Sequence, residues 1–480
     1  MRFSVSILLL TCIIGEALAE EGGDAAWIEA TRAKYEIPGV AIAIVQLDKP
    51  TVFHASGLCN VELRIPCSEE QRLPIGSVTK AVTGLLVNSL AAGKRIDLDL
   101  PIVRYWPELR LPDDRTSQIT LRDLLSHQGG LGSVDWPYFW NPTLTTQDYL
   151  DRLRFVPPAR PFRSGFAYAN ANFVIVGKVL EAVYSSSFED LVHKNLLKPL
   201  GMTKSGFDSP DVQTIGYGPT KNGKREPFPF VSPDAIRPAG GLVTTTKDFS
   251  RFITMLLDDG RFDGKSVAPD VAVSTFLSAG NSTKRGGYNL GLGFTHFRDQ
   301  LVFHHLGSVG GYSAALVLLP HRWGAIVLTN LTGSVFPEAL AFSLLDRYLG
   351  HKGDETMARL GQSSTMPHSI DVVSTSAMVF KEDAAGYVGA YRNPAWGDFV
   401  IELTKSALQI RFGPYRAPLN PANEKDHFSF LSAPGWETIN ITFNRNSSGN
   451  ISGFAMNDGS NQALQLFSRL RNEQSRRSNE

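Results

Sequence analysis

Apolar residues recur at helical spacing through Val82, Leu85, Leu86 and Leu90, and Gly93 marks where that helix should stop. The same period predicts helices over residues 121–126, 173–183, 249–257 and 336–349. Unbroken apolar runs at 40–47, 312–319 and 325–329 predict buried strands, the last two joined by a turn through Pro320-His-Arg-Trp-Gly. From about Gly350 the chain becomes small and polar, with Ser363-Ser-Thr and Ser374-Thr-Ser, and residues 351–379 are expected to be a linker. Beyond it the helical period fades. Short strand candidates at 398–403, 407–412, 428–431 and 439–443, separated by Gly, Pro and Asn, predict a small all-β domain over 380–472, with a charged tail at 473–480. The first domain is expected to occupy residues 20–350.

The first nineteen residues follow a different rule. Arg2 precedes an apolar run from 5 to 14, and Ala17-Leu-Ala19 is a small-x-small cleavage signal. The run is too short to cross a bilayer. A secretory leader is expected, cleaved near Ala19 to release a protein without a stable membrane span. Five N-x-[ST] sequons, at Asn281, Asn330, Asn440, Asn446 and Asn450, suit that route, although the apolar run before Asn330 points to burial there. Cys12 leaves with the leader. Cys59 and Cys67 remain as an even pair in an oxidising compartment, flanking adjacent strand-like segments, and are expected to form a disulfide.

Charge narrows the partners. Lys plus Arg balance Asp plus Glu, and no basic run interleaves with aromatics, so nucleic-acid binding has no support. The ten histidines are scattered, without H-E-x-x-H or a Cys cluster; no metal and no cofactor are expected. No G-x-S-x-G stands anywhere in the chain, which argues against an α/β-hydrolase elbow. Oligomeric state is not legible.

The candidate chemistry sits at the start of the first long helix. Ser77 and Lys80 are three residues apart, so they share a helix face. A serine hydroxyl is a weak nucleophile until a neighbouring base takes its proton, and a lysine does so when burial lowers its pKa. The positive end of the helix also favours charge developing at Ser77. Downstream stand Tyr168-Ala-Asn170, just before a predicted helix, and His305-Leu-Gly307-Ser308, just before a predicted strand.

In that order, S-x-x-K, Y-x-N and H-x-G resemble the serine β-lactamases of the class C type, the D-Ala-D-Ala carboxypeptidases and their esterase relatives. The flanks Gly93-Lys-Arg-Ile-Asp-Leu-Asp-Leu-Pro, Leu124-Leu-Ser-His127-Gln-Gly-Gly-Leu131 and Pro238-Ala-Gly-Gly-Leu-Val243 are similar too. The resemblance covers about residues 25–350, and the tail resembles a lipocalin-like barrel appended to such proteins. Tyr391-Arg-Asn393 also fits Y-x-N but lies after the third element, in the β-rich tail, and is read as coincidence.

The resemblance implies an α+β fold: an antiparallel sheet flanked by helices, an all-helical subdomain, then a small barrel-like β domain. It implies catalysis by Ser77, Lys80 and Tyr168, with Ser77 becoming acylated and a Tyr168 phenolate near ammonium groups serving as base. Asn170 would position Lys80 and the acyl chain. The N–H groups of Ser77 and Ser308 would form an oxyanion hole. Gly307 would keep the strand edge clear for substrate, and His305 would hydrogen-bond Tyr168 or the substrate. His127 is read as structural. Where β-lactamases carry Lys and Thr in the third element, this chain has His305 and Leu306, which weakens the case for carboxylate-bearing substrates. The expected function is that of a secreted serine hydrolase acting on a small ester, amide or peptide. The alternatives are an acyltransferase on the same residues, or a β-lactam- or peptide-binding protein with little turnover.

Overall fold

The computed structural model describes residues 21–135, 138, 141, 143–218, 225–228, 230–279, 286–361, 384–404, 407–422, 424–431, 438–457 and 465–470. The expected leader lies outside them. No described helix is long and apolar enough to cross a membrane.

An eight-stranded antiparallel sheet organises the first part. Its strands run in the order Gly287–Asn289, Leu292–Phe297, Gln300–Val309, Tyr312–Leu319, Trp323–Thr329, Gly39–Gln46, Val52–Asn60 and Ile65–Pro66. The pairing of Gly39–Gln46 with Trp323–Thr329 stitches the two ends of the domain together. Alternation sends neighbouring side chains to opposite faces. Ala41, Ala43, Leu316 and Leu318 enter a core shared with Val82 and Leu85 of helix Thr79–Ala92 and Phe249 of helix Thr246–Leu257. Val40, Ile42, Ala315 and Val317 enter a second core with Ile28 and with Leu340 and Leu344 of helix Phe336–Tyr348. Both faces of the central strands are covered, which is why they read as continuous apolar runs.

The 15-residue helix Asn170–Tyr184 and short helices, among them Leu121–Leu125, Thr146–Arg152 and Phe188–Val192, build the helical subdomain. Leu121–Leu125 and Thr146–Arg152 begin with capping boxes, Thr120 with Asp123 and Thr145 with Asp148. Part of the expected linker is structured. Residues Asp354–Gly361 form a helix fastened to the first domain by Trp27 Nε1 to Asp354 Oδ1 at 2.8 Å, Thr356 Oγ1 to Asp346 Oδ2 at 2.9 Å and buried Met357.

The C-terminal sheet has nine antiparallel strands, from Tyr415–Pro418 at one end to Asn420–Pro421 at the other. Those two end strands are separated only by Leu419, so the sheet curls into a near-closed barrel. Rings fill its interior. Phe399 stacks on Phe412 at 4.7 Å and Phe454 on Phe467 at 4.5 Å, with Tyr391 and Phe443 packed edge-on among them. Tyr391 is fully buried there and donates to Tyr387 O, so the second Y-x-N belongs to the barrel core. The barrel touches the helical subdomain where Arg152 Nη1 donates to the carbonyl of buried Trp396 at 3.3 Å.

Cys59 and Cys67 are bonded, with Cα atoms 4.8 Å apart, at the ends of the adjacent strands Val52–Asn60 and Ile65–Pro66. Asn330 is corrected as a glycan site: it is fully buried and its amide donates to Leu58 O and Ile215 O, both at 3.0 Å. Asn440, Asn446 and Asn450 are exposed. Asn281 lies outside the described residues.

Candidate active site

Ser77 lies in a single 3₁₀ turn, Gly76–Val78, that runs directly into helix Thr79–Ala92. It does not cap the helix, whose N-cap, Val78, offers no side-chain acceptor. Two glycines let this turn touch strand Gln300–Val309. Gly76 has φ +49°, and a Cβ on it would lie 2.7 Å from Ser308 N. A Cβ on Gly307 would lie 1.9 Å from Ile75 O and 3.0 Å from Ser77 N. The role expected of Gly307 is therefore revised: a side chain there would strike the protein's own turn before any substrate. The same contact lays the backbone at Ser308 against the turn that carries Ser77.

Lys80 is fully buried, and its Nζ lies 2.9 Å from Ser77 Oγ, 2.7 Å from Asn170 Oδ1 and 2.7 Å from Ala239 O. Burial lowers its pKa to about 7, against the opposing pull of Asp135. The two carbonyl oxygens only accept, so they take two amine hydrogens. In the neutral amine the lone pair is then left for Ser77. Asp135 fixes this orientation: its Oδ2 accepts from Asn170 Nδ2 at 3.0 Å, which turns Asn170 Oδ1 toward Lys80. Asp135 also accepts from Ser133 Oγ at 2.8 Å and from the buried Tyr149 hydroxyl.

Tyr168 donates to Ser77 Oγ at 2.8 Å. The residue as a whole is 42% exposed and lines the cleft, but desolvation around the hydroxyl holds the phenol well above its ordinary pKa. Lys80 Nζ sits over the ring face, 4.9 Å from the centroid, where a cation does little for a phenolate oxygen. The expected resting phenolate is thus replaced by a protonated phenol.

His305, for which Tyr168 or the substrate was the expected partner, bonds Tyr288 instead of Tyr168, with Nε2 2.9 Å from the Tyr288 hydroxyl. Burial, then the nearby Lys80, drives its pKa down to about 3, so it is a neutral imidazole. His127 packs under Tyr168 with ring centroids 4.4 Å apart, accepts from Ala169 N at its Nδ1, and has Asn172 Nδ2 2.6 Å from the same atom. It supports the Y-x-N segment, in line with its structural reading.

The cleft measures about 440 Å³ and runs from Ser77, Phe166, Tyr168 and Tyr288 past His305–Ser308 to Val335 and Glu338. Sequence reasoning missed Asp135, Tyr288 and Glu338. Asp135 carries one weak signal, its place four residues after the Gly-Gly-Leu131 flank; the other two carry none.

An antiparallel sheet with helices on both faces, and a serine held between a buried lysine and a tyrosine at the sheet edge, is the architecture of β-lactamase-like serine hydrolases. A family model described as Beta-lactamase matches residues 25–348, and the chain belongs to that family. It is 26% identical over 396 residues to Protein flp of Staphylococcus aureus (strain NCTC 8325 / PS 47), covering 77% of this chain and 74% of that protein. The octameric penicillin-binding protein homologue from Pyrococcus abyssi superposes with a TM-score of 0.60 at 22% identity, over 92% of this chain and 98% of its own. The D-amino acid amidase from Ochrobactrum anthropi SV3 superposes with a TM-score of 0.56 at 18% identity, over 68% of this chain and 97% of its own. The last two likenesses speak to fold.

Proposed function

We propose that the protein hydrolyses small esters and amides through an acyl-enzyme on Ser77, after export from the cell. The observation that carries this reading is the buried Lys80 amine, 2.9 Å from Ser77 Oγ, with the two hydrogens of its neutral form committed to Asn170 and Ala239. Near neutral pH a large fraction of Lys80 is the free base. It takes the Ser77 proton as Oγ attacks the carbonyl carbon. The N–H groups of Ser77 and Ser308 receive the oxyanion. Tyr168, held as a phenol, gives its proton to the leaving group and recovers one from the Lys80 ammonium. Water then attacks the ester on Ser77 by the reverse proton path.

The neutral His305 and the apolar Leu306 supply no fixed cation for a carboxylate, which favours neutral substrates over β-lactams. Amides belong to the proposal because a structural relative bears the name of an amidase. Export rests on the leader-like residues 1–19, and the exposed Asn440, Asn446 and Asn450 suit glycosylation along that route in a eukaryotic host. The test is intact-mass spectrometry after incubation with a nitrophenyl ester panel, penicillin and a phosphonate probe. The expected result is a single adduct on Ser77 from esters and phosphonate. An adduct on another serine, persisting in Ser77→Ala, would overturn the mechanism.

A further inference from the structure

The cleft does not end at Ser77. Alternation along strand Gln300–Val309 puts His305 and Gly307 on the Ser77 side, and His304, Leu306 and Ser308 on the side of helix Phe336–Tyr348. The cleft wraps over this edge into a lobe walled by Leu306, Gly333, Ser334, Val335, His304 and Glu338. Among the described residues the lobe holds one charge, the carboxylate of Glu338, whose side chain is 22% exposed.

Among the described residues nothing donates a hydrogen bond to that carboxylate. The one basic side chain within 4.0 Å of it, among the described residues, is His304, whose Nδ1 lies 4.0 Å away and itself has no hydrogen-bond partner. Burial keeps His304 neutral, with a pKa down to about 4, so it brings no cation. The cations farther along are committed elsewhere: Arg298 pairs with Asp346 at 2.9 Å and Arg347 with Asp24. Burial raises the Glu338 pKa above the usual carboxylate value, while its place in the first turn of the helix favours the anion. An unpaired carboxylate facing a lobe of the catalytic cleft is short of one partner, a cation small enough to enter with the substrate.

We propose that this lobe is a subsite for a protonated amine on the substrate, seated on the Glu338 carboxylate beside His304. The inference rests on the reading of Ser77 as nucleophile and adds the substrate class: amine-bearing esters or amides. It also supplies a reason for carboxylate-bearing substrates to be disfavoured, because like charges would meet in the lobe. A Glu in a first helical turn serving the helix dipole alone would affect all substrates equally, and the experiment separates the two roles.

Two matched pairs of esters are compared, each differing only in a terminal primary amine against a methyl group. The amine is on the acyl chain in one pair and on the alcohol in the other. Wild-type protein should prefer the amine member of one pair at least tenfold in kcat/KM at neutral pH. In Glu338→Gln that ratio should collapse toward one. Equal rates within both pairs, or a ratio that survives Glu338→Gln, would overturn the subsite. If even the neutral esters are not turned over, it is the Ser77 reading that fails. Calorimetry of a primary alkylamine and its methyl counterpart on the Ser77→Ala protein then decides the subsite: tighter amine binding, lost on adding Glu338→Gln, supports it, and equal binding refutes it.

Discussion

Strand Gln300–Val309 pairs with Leu292–Phe297 only as far as His304, and among the described residues His305 to Val309 pair along one edge alone, with Tyr312–Leu319. In the C-terminal sheet the end strands Tyr415–Pro418 and Asn420–Pro421 meet through Leu419, and rings occupy the space enclosed. The first sheet thus stops pairing beside its serine and leaves backbone donors and a cleft of about 440 Å³ open to a visitor. The second curls toward closure around a packed interior. An exposed edge is a liability that proteins ordinarily cover; where it persists next to a nucleophile, it is the place for a substrate. A barrel filled by Phe399, Phe454 and Phe467 has stability to offer.

Measurements in both regions sharpen or break that contrast. Ser77→Ala should lower turnover by at least about 10⁴-fold while leaving the melting temperature nearly unchanged. Retained turnover would move the chemistry away from the open edge. Lys80→Ala should lower kcat/KM by about 10²–10⁴-fold. In the wild type, the pKa of about 7 for Lys80 means that kcat/KM rises with pH through that value, as the ammonium becomes the amine that accepts the serine proton. A rate that falls across the same range would make the protonated lysine the active form.

In the barrel, Phe454→Ala should reduce unfolding free energy by about 3–5 kcal/mol by leaving a cavity among stacked rings. Its folded fraction should keep the wild-type kcat/KM. A selective loss of activity without loss of stability would give the barrel a part in the chemistry. Between substrates, a neutral short-chain ester should exceed a cephalosporin in kcat/KM at least tenfold, since one missing charge-assisted hydrogen bond is worth about 1.5–3 kcal/mol. His305→Lys with Leu306→Thr should narrow that ratio, and a ratio that does not move would acquit the strand of setting the preference.

The smallest effect is expected at Asp135→Asn, about three- to tenfold in kcat/KM. The asparagine no longer dictates the orientation of Asn170. Removing the carboxylate also removes the attraction that raises the Lys80 pKa, so the acid limb of the pH profile should move below about 7. A limb that stays in place would show that Asp135 acts on packing alone.

The helix carrying Lys80, with Ser77 in the turn that leads into it, was legible because its evidence is local. Apolar residues three and four apart predict it, and three-residue spacing alone puts hydroxyl and amine on one face. The strands at 312–319 and 325–329 were legible because burial on both faces leaves no polar gap in the run. The barrel was half legible. The strands at 397–403 and 438–445 showed alternation, whereas Gly389–Asn393 and Ile451–Asn457 mix Gly, Asn and Arg with their inward residues and escaped notice. Residues 354–361 read as linker because their polar face dominates the composition, yet Met357 and Thr356 face inward.

What the sequence determined by itself, then, is the order of motifs, the local helix that couples Ser77 to Lys80, and the two-part division into a helix-rich unit and a strand-rich one. These depend on residues a few positions apart. Which nitrogen meets which oxygen was decided only by tertiary structure. Asp135 reaches Asn170 across 35 residues, Tyr288 bonds the His305 ring for which the sequence offered Tyr168 or the substrate, and Glu338 reaches the cleft from a helix beyond the sheet. The state of Lys80 is likewise a product of folding, because a lysine titrates near its ordinary value until the surrounding protein removes its water.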